Sequence, residues 1–319
     1  MLTRSYLVVD IGGSRVRVAV ADSSLALAGR LDEPTDHSLG PESVVAQIAG
    51  MSRESCKRAS VDWSDISSMV VACPGPLDAR SGVVFDPPNL LGWHRVPLRD
   101  LLQEQLGVPV YIVNDANAAA FGEFHFGAGR GRRNLVYLTI STGIGGGVVV
   151  DGSLLEGTSG SGGELGHMTI DRHGPRCPCG NIGCLEVLGS GSAIARRYAE
   201  CLAARGQFEA GTPTGADARE VARRAREGEP LAREVFLDAA EAVGTGVVNC
   251  INIFNPDVVV LGGGVTGAED LLFDPVRRMA ATYALPRPRE FARIVPAELG
   301  PDVGLIGAAG VAVSRDASC

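Results

Sequence analysis

The sequence predicts an α/β protein of two domains, and three observations carry that prediction. A chain of 319 residues is long enough for two cores of ordinary domain size. Its 45% hydrophobic content, with 42 glycines and only 5% aromatics, suits a glycine-rich α/β enzyme better than an all-β shell. The third observation is that one unit is written twice. YLVVDIGGSRVRVAVAD near the start and NLVYLTISTGIGGGVVVDG near the middle are β-branched runs broken by a glycine turn, each followed by αβ material. That is duplication on the scale of a domain.

After the first hairpin the pattern predicts a helix near Pro41–Arg58 and a strand at Ser68–Cys73. A Pro- and Gly-rich loop (PGPLDARSGVVFDPPNLLGW) and a helix near Leu98–Leu106 come next. The short strand PVYIVND runs into a helical stretch, DANAAAFGEF. Beyond the second hairpin, a cysteine-rich loop gives way to helices near Ser192–Arg205, Ala216–Arg226 and Pro230–Phe254. Strand DVVVLGGGV, a helix near Asp270–Tyr283, a strand around Arg293–Pro296 and a helix at Leu305–Ser314 complete the order. No low-complexity linker parts the halves, so a hinge between packed domains is expected. The expected domains are residues 1–117 plus about 305–319, and residues 118–304.

Composition excludes several functions. A net charge of −8 argues against nucleic acid, whose phosphates demand a basic face. No run approaches the roughly 18–20 apolar residues of a membrane helix, and the N-terminal MLTRSYLVVD is too short and is cut by Asp10 for a signal segment. Cys56, Cys73, Cys201, Cys250 and Cys319 show no disulfide rhythm, which fits a reducing cytoplasm. Lys57 is the sole lysine, and its setting, RESCKRAS, reads as an exposed helix; a P-loop GK[ST] and a pocket lysine for Schiff-base chemistry are both missing. Phosphate must therefore be met by backbone amides, hydroxyls, arginine or metal.

The densest chemistry lies in HMTIDRHGPRCPCGNIGCLE. His167, Cys177, Cys179 and Cys184 offer one imidazole and three thiolates, the soft ligands of a four-coordinate structural zinc. Pro178, Gly180 and Gly183 let so short a loop turn back. A disulfide is the competing reading, but Cys177 and Cys179 are too close to pair comfortably and one thiol would be left over. His173, in DRHGPR, is an alternative ligand that reads as an exposed turn. Glu164 and Glu186 bracket the loop, and a structural zinc needs neither, so the metal loop is expected to build a pocket as well. Three glycine clusters, DIGGS, STGIGGG and LGGG, follow strands. A dinucleotide fingerprint fails here, because strand residues VVV follow GIGGG where a helix is required. One such turn alone would be an ordinary hairpin; two matching turns favour a pair of phosphate clamps. His125 and Trp93 read as packing or surface residues, and GRGRR at 129–133 as a solvated loop.

Paired glycine hairpins on a duplicated αβ unit resemble the actin-like ATPase superfamily, which includes sugar kinases. The motifs DIGGS, PGPLD, PNLLGW, NDANAAA, STGIGGG, GGELGH, CPCGNIGCLE and LGGG resemble the ROK family (repressors, open reading frames, kinases) from about residue 6 to 310. Within it they look most like bacterial ATP-dependent glucokinases. The resemblance implies an actin-like, ribonuclease H-like fold of duplicated βββαβαβα units. It also implies transfer of the γ-phosphoryl group of ATP to the 6-hydroxyl of D-glucose. Two departures stand out: Ser14 and Arg15 replace the threonine and lysine common in the first phosphate motif, and only about five residues precede the first strand. The first keeps a hydroxyl and a charge; the second leaves a repressor's DNA-binding domain no room.

By the same resemblance Asp115 is the catalytic base, although a lone Asp at a strand-to-helix junction would be an N-cap. Asn89, Asn114, Asp115, Glu164, His167 and Glu186 would meet the sugar, with His167 binding zinc through its other ring nitrogen. ATP with Mg2+ would lie against Asp10, Gly12, Gly13, Ser14, Arg15, Thr142 and Gly143, and its adenosine against Gly262 and Gly263. Closure on the sugar would exclude water. A homodimer or homotetramer is expected. The alternatives are a kinase for fructose, mannose, N-acetylglucosamine or N-acetylmannosamine, a non-catalytic sugar sensor, and an ATPase acting on protein partners. Polyphosphate is a further candidate donor.

Overall fold

The structure, a computed structural model, describes residues 4–87, 89–206 and 215–317; Cys319 lies outside them. In chain order the elements are β1 (Ser5–Ile11), β2 (Arg15–Asp22), β3 (Leu27–Pro34), α1 (Pro41–Ala59), β4 (Ile66–Cys73), β5 (Leu77–Asp78) and β6 (Val83–Val84). Then come α2 (Leu98–Leu106), β7 (Val110–Asn114), α3 (Asp115–Phe126), β8 (Leu135–Ile140), β9 (Ile144–Val150), β10 (Ser153–Leu154), α4 (Leu185–Gly189) and α5 (Gly191–Ala204). The rest are α6 (Ala218–Arg226), α7 (Pro230–Phe254), β11 (Val258–Gly262), α8 (Glu269–Tyr283), α9 (Pro286–Phe291), β12 (Arg293–Pro296) and α10 (Val303–Ala317).

The two main sheets repeat one topology. Their orders are β3-β2-β1-β4-β7 and β10-β9-β8-β11-β12, the same 3-2-1-4-5 arrangement with an antiparallel first half and a parallel second half. Central strands such as β1 and β11 are buried on both faces, which is why they read as continuous Val/Leu runs rather than alternating ones. In the first unit, one face packs Val9, Val71 and Ile112 against Val44 and Ile48 of α1 and Leu98 and Leu102 of α2. The other face packs Val8, Val70 and Ala72 against Leu305, Ala308 and Ala312 of α10. In the second unit Val136, Leu138 and Leu261 meet Phe236, Val243 and Val247 of α7 and Leu272 and Val276 of α8. α7 starts with Pro230 in its first turn and stops at Asn255, which is in the left-handed conformation (φ 47°).

The compact units comprise residues 1–130, 154–163 and 298–319, and residues 131–153 and 164–297. Those limits correct the expected boundary at 117, which would cut α3. The reason is packing: α3 lies against α10, with Gly122 beside Gly307, so the helix belongs wholly to the first unit. The segment 154–163 also joins the first unit, where Gly162 accepts at 3.5 Å from Asn117. Among the described residues no helix is long and apolar enough to cross a membrane.

Candidate active site

In the first unit the carboxyl ends of three neighbouring parallel strands carry the polar residues. Asp10 of β1 pairs in register with Ala72 of β4, and Cys73 of β4 with Asn114 of β7. With adjacent strands ~4.8 Å apart, Asp10 and the start of α3 stand roughly 10 Å from each other across the sheet. Ligands of open parallel sheets bind at this end of the strands. Asp115 is the first residue of α3 and its Oδ1 accepts from the Ala116 N–H at 2.8 Å. The helix N-terminus favours its ionised form. The N-cap is Asn114, whose Oδ1 accepts from the Asn117 N–H at 3.1 Å. Capping thus falls one residue before Asp115, and Asn114 keeps its amide N–H groups and a second lone pair on Oδ1 to offer a ligand.

Asp10 is mostly buried. Burial pushes its carboxyl above the ordinary range, partly offset by Arg17, whose Nη1 donates to Oδ2 at 2.8 Å. Arg17 was not singled out in the sequence, yet the hairpin register sets it directly opposite Asp10. Counting outward from the glycine turn would have found it. A Cβ on Gly304, in the first turn of α10, would lie 2.8 Å from Asp10 Cγ, so only glycine lets that helix end approach. Gly12 and Gly13 form the turn, braced by Thr35, which donates to the Gly12 carbonyl at 2.7 Å, and by His37 at 2.8 Å from the Gly13 carbonyl. Ser14 accepts from the Thr35 N–H at 3.0 Å. The Arg15 guanidinium bonds the Asp32 carboxylate and carbonyl across β2–β3. Asn89 is exposed, with its backbone packed on Gly13. Cys73 is fully buried, and burial first, then Asp115 and Asp10, drive its thiol pKa well up.

In the second unit the chain from Thr169 to Cys184 folds back through bridges Thr169–Cys184 and Arg176–Ile182, with a tight turn closed by Gly180 N–H to the Cys177 carbonyl at 2.9 Å. The ligand atoms of His167, Cys177, Cys179 and Cys184 all lie within 4.8 Å of one another. Cys179 Sγ and Cys184 Sγ are 3.7 Å apart, and Cys177 Sγ is 3.7 Å from His167 Nδ1. A disulfide needs ~2.05 Å. A regular tetrahedron with ~2.3 Å metal–sulfur bonds has edges of about 3.8 Å. The donors therefore fit a zinc-sized ion and do not fit a disulfide. His173 is not among them; its N–H is tied to Asp171 in an exposed turn.

The same loop positions two carboxylates. Glu186, in the first turn of α4, accepts from the Ile144 N–H at 2.9 Å through Oε2. A Cβ on Gly143 would meet that oxygen at 2.4 Å. The glycine turn carrying Thr142 and Gly143 thus closes around a carboxylate two residues beyond Cys184 of the His/Cys cluster. α5 begins on the same turn, with Gly191 N–H to the Ser141 carbonyl at 2.7 Å and Ser192 N–H to the Thr142 carbonyl at 3.3 Å. Glu164 keeps an exposed edge; desolvation of its carboxyl pushes its pKa up, His167 pulls it down and Glu186 pushes it up again. Gly262 and Gly263 close β11, where Gly263 (φ +88°) lets the chain leave the strand.

The duplicated sheet with a glycine hairpin in each half is the actin-like ATPase fold. The chain belongs to the ROK family, whose model matches residues 6–315. It is 37% identical to a glucokinase from Thermotoga maritima, over 96% of each chain. It is 35% identical to an N-acetylmannosamine kinase from Salmonella typhi, over 95% of this chain and 96% of the relative. The ROK family glucokinase from Streptomyces griseus, solved in complex with glucose and AMPPNP, superposes with a TM-score of 0.80 at 30% identity, covering 96% of this chain and 98% of that one.

Proposed function

We propose that this chain is an ATP-dependent hexokinase of the glucokinase type, moving the γ-phosphoryl group of ATP to the 6-hydroxyl of D-glucose. The observation that carries the reading is the weld between metal loop and glycine turn. Glu186 sits two residues from Cys184 and holds the Ile144 amide of the hairpin at 2.9 Å. An ATPase without a sugar has no use for the Glu164–His167–Glu186 set. Likeness to a glucokinase with bound glucose supports it further.

Phosphoryl transfer needs little covalent help, so the protein positions, neutralises and takes one proton. Asp115 would accept that proton from the attacking hydroxyl as the oxygen–phosphorus bond forms, when the hydroxyl becomes acidic. Asn89, Asn114, Glu164, His167 and Glu186 would meet the remaining hydroxyls, each unmatched buried acceptor costing about 1–3 kcal/mol. Zinc would be held by Cys177, Cys179, Cys184 and His167 Nδ1, and when bound would supply local folding energy. That leaves His167 Nε2 for a hydroxyl and fixes its tautomer. Asp10 would face Mg2+ on the phosphates through water. Gly12, Gly13, Ser14, Thr142 and Gly143 would cradle the phosphates, and Gly262 and Gly263 the adenosine. Arg15, held by Asp32 through Nε and Nη2, would join them through Nη1. A cytoplasmic dimer or tetramer belongs to the same proposal, and light scattering tests it.

The deciding experiment is ADP release over a hexose panel with elemental analysis of the purified protein. Glucose-dependent ADP and about one zinc per chain are the expected results. The similarity to an N-acetylmannosamine kinase favours one second reading, the same chemistry on an N-acetylated sugar. Faster turnover on N-acetylmannosamine than on glucose would replace the first reading with the second. Glucose binding without ADP release would indicate a sensor.

A further inference from the structure

Glu123 lies two turns beyond Asp115 on α3, and its side chain is fully buried, 0% exposed. A carboxylate so far from water persists only where strong hydrogen bonds replace its hydration. Its oxygens accept from three backbone amides: Ala128 at 2.9 Å, Glu298 at 3.0 Å and Leu299 at 2.9 Å. Ala128 follows the end of α3, and Glu298 and Leu299 lead into α10, so one side chain grips two segments 170 residues apart in sequence (175 from Glu123 to Glu298). Around it the helices touch through glycine. A Cβ on Gly307 of α10 would lie 1.9 Å from the Ala118 carbonyl of α3, and one on Gly122 would lie 3.2 Å from Gly307 Cα. One turn earlier on α10, Gly304 lies against the Asp10 carboxyl.

We infer that Glu123 is a positioning residue that locks α3, which carries Asp115, to α10, which meets Asp10, and so sets the spacing of the two carboxylates. Its catalytic meaning rests on the kinase reading. Glutamine at this position keeps volume but turns one oxygen into an NH2 group that cannot accept, so at least one backbone amide loses its partner. The lock then loosens while the sugar contacts stay.

The experiment pairs E123Q with G307A, the second pushing the helices apart with Glu123 intact. Expected for E123Q is at least tenfold faster hydrogen exchange at Ala128, Glu298 and Leu299, and faster exchange at the Ala116 amide bonded to Asp115. Turnover should fall about tenfold, the scale of a sub-ångström misplacement, while KM for glucose stays within about twofold. G307A should show the same split between kcat and KM, and the double variant should be no worse than the worse single. E123Q that is folded by circular dichroism with wild-type turnover and unchanged Ala116 exchange would overturn the inference. So would a rise in KM matching the fall in kcat, the mark of general loosening. If the wild type phosphorylates no hexose, the kinase reading fails by itself. Ala116 exchange then still decides whether Glu123 acts on the Asp115 end of its helix: acceleration supports it, no change refutes it.

Discussion

The two glycine hairpins share a sheet position but are held by different means. The turn between β1 and β2 is braced by charge pairs, Arg17 on Asp10 at 2.8 Å and Arg15 on Asp32, with Thr35 and His37 capping its carbonyls. The turn between β8 and β9 is braced by the Glu186 carboxylate and by the first amides of α5. The strand ends differ as well. In the first unit they present Asp10, Cys73 and Asn114–Asp115; in the second, β11 ends in Gly262 and Gly263 follows it. One duplicated topology thus carries strand-end carboxylates in one unit and a glycine turn braced beside a His/Cys cluster in the other. Duplication preserved backbone and freed side chains.

The sharpest test of that contrast is Asp115→Ala. It should lower turnover by about 10²–10⁴, the usual general-base contribution, with sugar affinity largely kept; single-turnover ADP release alongside equilibrium glucose binding separates the two. Near-normal turnover would remove Asp115 from the chemistry. Cys179→Ala acts on the other unit. It should release the metal and weaken glucose binding, because structural zinc supplies about 10–16 kcal/mol of local folding energy. Full glucose affinity in metal-free protein would reduce the loop to scaffolding.

A smaller effect is expected from Gly143→Ala, which forces Glu186 off the Ile144 amide. Overpacking of this kind costs about 1–3 kcal/mol, so KM for glucose and for ATP should rise together, by roughly tenfold. A change in only one would break the proposed link between metal loop and phosphate turn. The smallest effect concerns the tie between β1 and α10. Tyr6 donates to Asp316 at 2.8 Å, and Arg4 pairs with the same oxygen at 2.8 Å. The Tyr6 hydrogen bond holds the Asp316 carboxyl below its ordinary value. A depressed carboxylate contributes stability that is full above pH ~3.9 and lost as pH falls through the folded value. Tyr6 is pushed up to about 12 by burial and then by Asp316, so its share is full below pH 10 and lost as pH rises toward 12. Asp316→Asn should flatten the acid limb of a melting-temperature profile by under about 1 kcal/mol. An unchanged acid limb would show the tie to be idle.

Much of this was legible before any coordinates. Helices α2 and α7 and strand β12 fall at the limits the sequence pattern indicates, because apolar periodicity, a proline at the start of α7 and glycine just after α2 are local signals. The clustering of His167, Cys177, Cys179 and Cys184 was legible for a similar reason: four side chains within eighteen residues can close only a small loop. Arg17, Gly304 and Glu123 were not. Each gains its role from a partner set by strand register or helix packing, and nothing in its own neighbourhood announces that partner.

Sequence alone determined the duplicated αβ plan and brought the His/Cys cluster and Asp115 forward as candidates, since these depend on residue type, local order and motif. Only the tertiary structure decided that Asn114 caps α3, that Arg15 is held by Asp32, that residues 118–130 stay with the first unit, and that Glu186 closes the second glycine turn. Those outcomes depend on distances between segments far apart along the chain. Hydrogen-bond competition and packing settle such distances, and backbone preference does not encode them.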